Sequence, residues 1–130
     1  MYSLNDVWTV AQTIGAEARG EGELGMRAVA WVIVNRALDQ RWPSGLSDVC
    51  KQPKQFSAWN RGDVNLTWIA RAGFEDPTFQ KAFAIAAEVL ARMGEDPSNG
   101  ANHYHADSIP CPWGDKFPTA VIGHHLFYRF

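Results

Sequence analysis

At 130 residues, 46% of them hydrophobic, the chain is long enough for one domain, residues 1–130, with a buried core of its own. A formal charge of −2 with no basic block excludes electrostatic capture of nucleic acid or anionic lipid as a default. Six tryptophans and a 12% aromatic share suit sugar recognition, because an indole face stacks on the apolar C–H face of a pyranose.

The opening residues, "MYSLNDVWTVAQTIGAEARG", show neither a basic n-region nor an apolar h-region, so no secretory signal is expected. They read instead as an amphipathic helix: Leu4, Val7, Trp8, Ala11, Ile14, Gly15 and Ala18 recur at helical spacing. Ser3 and Asp6 form its N-terminal box, and Gly20 and Gly22 end it. A second helix is predicted from Leu24 to Asp39, and its middle, "AVAWVIV", has no polar side, as expected of a central helix packed on every face. Pro43, Gly45, Pro53 and Gly62 break the next stretch, leaving one helical turn at Ser47 to Lys51 and an irregular or short extended piece at "QFSAW". A third helix opens with Asp76 as cap and Pro77 at its first position, carries Phe79, Ala82, Phe83, Ala86, Leu90 and Met93 as its stripe, and closes at Gly94. Two strands, Ala101 to Ala106 and Thr119 to Tyr128, are expected to pair as a small antiparallel sheet. The fold class is α+β, mostly α, around one buried helix. No apolar run approaches the roughly 18 residues of a membrane helix, so no membrane insertion is expected.

Chemistry concentrates at the joint between the first two helices. Glu17 falls just outside the apolar arc of the first helix, beside Val10 and Ile14, in its last turn. Desolvation there and the negative end of the helix dipole both raise a carboxyl pKa, which suits a general acid. The alternative is an ordinary ion pair with Arg19, Arg36 or a lysine. Glu21 and Glu23 complement the N-terminus of the second helix, with Glu21 able to reach and tune Glu17. Asn35 and Arg36 end the central helix, placed to clamp the C-terminal carbonyls of the first. His103, His105, His124 and His125, with Cys50, Cys111 and Asp107, allow a zinc site to be drawn, but no H-E-x-x-H or C-x-x-C supports one. The cysteines read as buried apolar residues or free thiols, and "RGD" at Arg61 to Asp63 as a turn. No G-x-S-x-G, Walker A or dinucleotide fingerprint is present.

Five segments in order, "AEARGE" with "GMRAVAWVIVNR", "QFSAW", "DPSNGANHY", "PW" at Pro112–Trp113 and "IGHHLFYR", together resemble the SleB/CwlJ-type cell-wall hydrolases. The resemblance spans nearly the whole chain. It implies a lysozyme-like helical fold with a substrate groove, peptidoglycan glycan strands as substrate, and the catalytic glutamate at Glu17; with no metal motif in the chain, no cofactor or metal is expected. By their places in the family's motifs, Gln55, Ser57, Trp59, Tyr104, Trp113 and His125 are candidate substrate-binding residues, while Arg19 and Glu21, by their nearness to Glu17, are its candidate supports. Ala16 stands where the family usually has glycine, and Gly22 where it often has proline, so the turn is looser here. Spore-cortex members often carry a wall-binding domain and an export signal. Neither is visible, which favours a monomeric phage endolysin made in the cytoplasm and released to the wall through a holin.

Glycosidic cleavage by a hydrolase needs two carboxylates, whereas a lytic transglycosylase manages with one. One clear acid is in evidence, so cleavage between the muramyl sugar and N-acetylglucosamine by transglycosylation is expected. A hydrolytic muramidase, a zinc-dependent amidase or peptidase using the histidines, and a non-catalytic glycan-binding module are the alternatives.

Overall fold

The computed structural model describes residues 2–52 and 55–130, so Pro53, one of the expected breakers, lies outside it. Helix α1 (Leu4–Ala18) starts as its sequence dictates: Ser3 Oγ accepts from the Asp6 N–H, and Asp6 Oδ2 accepts from the Ser3 N–H. Val7, Val10, Ala11, Ile14 and Ala18 are buried, but Leu4, expected on the stripe, is 74% exposed, because it sits a turn ahead of the first buried residue. A 3₁₀ turn, Arg19–Glu21, leads into α2 (Gly22–Ala37), which begins and ends two residues earlier than expected. Its apolar centre is buried on all sides against α1, α3 and α5, with only Trp31 of "AVAWVIV" reaching the surface.

Helix α3 (Leu46–Lys51) is the expected short turn, and "QFSAW" closes into a 3₁₀ turn at Ser57–Trp59 instead of extending. Helix α4 (Val64–Arg71) was not foreseen. It buries Ile69 alone, so no periodic stripe announces it. Its start lies in "RGD", where Asp63 accepts from the Asn65 N–H. Asp76 caps α5 (Pro77–Leu90) by accepting from the Thr78 N–H. The helix stops short of Met93, which is 59% exposed, because Arg92 adopts φ 59° and turns the chain out.

The sheet has three strands: β1 (His103–Ala106), β2 (Ala120–Ile122) and β3 (His125–Tyr128), antiparallel in the order β1-β3-β2. The second expected strand is thus a hairpin. It folds at Gly123–His124, with Gly123 at φ 56° and Ile122 opposite His125. None of the helices among the described residues is long and apolar enough to cross a membrane.

Helix α1 meets α4 at Gly15, where a methyl group would collide with the Trp68 indole at Cη2 and, 2.8 Å away, at Cζ3. Alanine adds about 1 kcal/mol of helix propensity, while overpacking costs about 1–3 kcal/mol. Gly15→Ala is therefore expected to destabilise the native protein and to stabilise a Trp68→Ala background. Urea unfolding that gives the same sign in both would clear the indole as the obstacle.

Candidate active site

The joint after α1 opens into a groove of about 340 Å³ with Glu17 on its floor. Gln55 and Ser57 form one wall, Tyr104 and His125 on the sheet form another, and the loop after β1 brings Trp113 to a third. Six of the residues singled out in the sequence therefore meet in one place, although they span positions 17 to 125.

Glu17 is half-buried, as the helical wheel required. Burial pushes its carboxyl up to about 7. A hydrogen bond from the Tyr104 hydroxyl to Oε1, at 3.3 Å, opposes that rise. The Asp63 charge adds to it, and hydrogen bonding from the Ser57 backbone opposes it. Arg19 does not reach the carboxylate. Its Nη1 donates to the carbonyls of Gly15 and Ala16, both at 3.1 Å, and its Nη2 to Asn65 Oδ1 at 2.9 Å. The guanidinium thereby answers the negative end of the α1 dipole, leaving desolvation as the main source of the raised pKa.

Glu21 also lies away from the groove. Its Oε2 accepts from the His124 N–H at 2.8 Å and ties the turn after α1 to the β2–β3 hairpin. Trp59 does not line the groove either. Its Nε1 donates to Thr13 Oγ1 at 2.8 Å, and its ring packs between α1 and α4 under Lys51. Trp113 stands edge-on to His103, His105 and Tyr128, with centroids 5.2–5.7 Å away.

Both ring nitrogens of His105 are engaged: Nδ1 donates to the Ala106 carbonyl at 2.8 Å, so Nε2 accepts from the Tyr128 hydroxyl at 2.9 Å. His103 Nδ1 bonds Asn102 Oδ1, and burial pushes its imidazole down to about 4. Among the described residues no three His, Cys, Asp or Glu side chains converge as metal ligands. Cys50 and Cys111 are free thiols.

Sequence reasoning misplaced Asn35 and Arg36. They clamp the segment before β1, not the end of α1: Asn35 Nδ2 donates to Asp96 and to the Ala101 carbonyl, and Arg36 Nε to the Asn102 carbonyl. Arg36 also lines the groove. The missed signal was its register, three, four and seven residues after Ile33, Val32 and Val29, which puts a cation on the buried face of α2.

Glu17 is the one carboxylic acid among the described residues lining the groove. Asp63, whose charge reaches it, is occupied as the cap of α4. A wider depression of about 580 Å³ at the C-terminal end of α2 contains Asp39. The Arg41 side chain bonded to that carboxyl holds it at about 2, so it stays ionised near neutrality and has no proton to give.

A family model described as cell wall hydrolase matches residues 20–128, starting just after Glu17. Similarity to individual relatives extends across α1 as well. A spore cortex-lytic enzyme of Halalkalibacterium halodurans is 35% identical over 97% of this chain, and one of Bacillus cereus 34% identical over 98%. The chain spans 35% and 46% of the length of those two relatives. The catalytic domain of the germination-specific lytic transglycosylase SleB from Bacillus anthracis superposes with a TM-score of 0.74 at 32% identity, covering 97% of this chain and 95% of that one. The Bacillus cereus SleB catalytic domain gives 0.75 at 31% identity, with 98% and 91% covered. With most of its length matched by the family model and by solved domains of the same size, the chain belongs to the cell wall hydrolase family.

Proposed function

We propose that this chain cleaves peptidoglycan glycan strands between the muramyl sugar and N-acetylglucosamine as a lytic transglycosylase, with Glu17 as acid and then base. The observation that carries this reading is a single half-buried carboxyl, at about pH 7 in its titration, on the floor of a groove that no other acid lines among the described residues. Protonated Glu17 gives its hydrogen to the bridging oxygen as the C1–O bond breaks, leaving an oxocarbenium-like sugar. The resulting carboxylate then takes the proton from that sugar's C6 hydroxyl, whose oxygen closes on C1. The product is a 1,6-anhydro end, and no water is consumed. Tyr104 steadies the carboxyl through both transfers. Gln55, Ser57, Trp113 and His125 hold the sugars, while Arg19 and Glu21 keep the two turns that frame the floor.

Mass spectrometry of muropeptides released from sacculi tests the reaction. Ends lighter by one water than hydrolytic ends are expected. Full hydrolytic ends would instead assign a muramidase and require an acid to activate water. The endolysin setting is part of the proposal: a holin gene beside the coding sequence supports it, and spore-germination neighbours would remove it.

A further inference from the structure

Two residues that line the groove each carry a buried polar atom with no hydrogen-bond partner: Nη1 of Arg36 and Nδ1 of His125. Arg36 is the more demanding case. Its side chain is 4% exposed, and no acid forms an ion pair with it among the described residues. Its Nε is spent on the Asn102 carbonyl at 2.7 Å. The rings of Trp42 and Phe56 stand 5.4 and 5.3 Å from the guanidinium carbon. Neither ring supplies an acceptor for the guanidinium N–H groups.

A buried cation with an idle donor is costly, and an apolar side chain of similar volume fills such a space more cheaply. Holding the segment before β1 requires only one N–H, which Nε already provides. Arg36 lines the same groove as Glu17, and Phe56 borders both Arg36 and Tyr104, the residue that touches the acid. A guanidinium edge is matched by an sp² oxygen lying in its own plane, a carbonyl or carboxylate, better than by a hydroxyl. On a glycan strand of this kind such oxygens occur on the N-acetyl and lactyl substituents of the sugars and not on the rings.

Taking the groove as the glycan site proposed above, we propose that Arg36 is a substrate-binding residue whose guanidinium donates to a carbonyl or carboxyl oxygen on the sugar seated beside Glu17. Two groups can supply that oxygen, the N-acetyl carbonyl and the lactyl carboxyl. His125 Nδ1 is the second unpartnered atom available to the same substituent.

The test uses soluble glycan strands in three forms: native, N-deacetylated, and with the lactyl carboxyl reduced. The wild-type protein is expected to discriminate against one modified form by at least tenfold in kcat/KM. Arg36→Lys and Arg36→Met, checked for folding by thermal melting, are expected to raise KM on native strands more than they lower kcat. They are also expected to erase that one discrimination and keep the other, and the form affected names the oxygen. A structural role alone would leave both ratios as in the wild type, and folded variants behaving so overturn the inference. Should both variants fail to fold, the Arg36 side-chain N–H resonances of ¹⁵N-labelled Glu17→Gln protein decide. They shift on saturation with native strands if the bond forms, and an unmoved signal overturns it. Cleavage persisting in folded Glu17→Gln protein would remove the proposed function instead, so the two failures are separable.

Discussion

Glu17→Gln is expected to cut the rate of glycan cleavage by about 10²- to 10⁴-fold, the usual worth of a positioned acid–base group, while the fold persists. Its effect on stability identifies the cause. The native carboxyl titrates at about 7 against an ordinary value of 4.5, so the folded state holds its proton over a range where the unfolded chain has released it. Native stability therefore falls as pH rises from 4.5 to about 7 and is level above that, by at most roughly 3 kcal/mol. The amide carries no such term. The variant should match the wild type at pH 4.5 and exceed it at pH 8 in thermal unfolding. An equal gap at both values would mean that the carboxyl is not held neutral by burial. Activity follows the same proton, declining about tenfold per pH unit above 7. Tyr104→Phe removes a bond that favours the charged form, so it should move that alkaline limb to higher pH.

Phe56→Ala should cost about 3–5 kcal/mol, the range for a fully buried aromatic, because Phe56 is 1% exposed. Set against the roughly 5–15 kcal/mol that holds a typical domain together, this leaves little margin. The loss should also reach the chemistry, since the ring borders both Arg36 and Tyr104. Phe79→Ala is the control: it is equally buried but lies in α5 against Trp8, at 4.7 Å. Both variants should unfold early in urea, and at temperatures where each remains folded only Phe56→Ala should have lost activity. Full kcat in folded Phe56→Ala would reduce the residue to filler.

The elements legible in the sequence are those whose own residues specify them. Ser3 and Asp6 start α1, Asp76 and Pro77 start α5, and the unbroken apolar run of α2 demands a central place. What escaped depends on partners distant in the chain. Helix α4 is anchored by Ile69 and by a tryptophan seated on a glycine of α1, a contact no local pattern announces. The hairpin at Gly123 splits what reads locally as one strand, because alternation continues through a two-residue turn. For the site, the position of Glu17 was readable from a helical wheel, and its raised pKa from the expected burial. Trp59 stands among the candidate substrate-binding residues only until its indole is seen bonded to Thr13. Arg36 reads as a helix end until the groove beside it is seen.

Strand β3 comes last in sequence and middle in space, so neither β1 nor β2 has a partner until residues 125–128 arrive. On the ribosome, Glu17 emerges more than a hundred residues ahead of His125. Until the later strand inserts, the wall that Tyr104 and His125 give the groove cannot form, and Glu17 lacks that part of the cover that raises its pKa. Under the proposed function, a chain stopped short of that strand would lack the wall that holds the sugars.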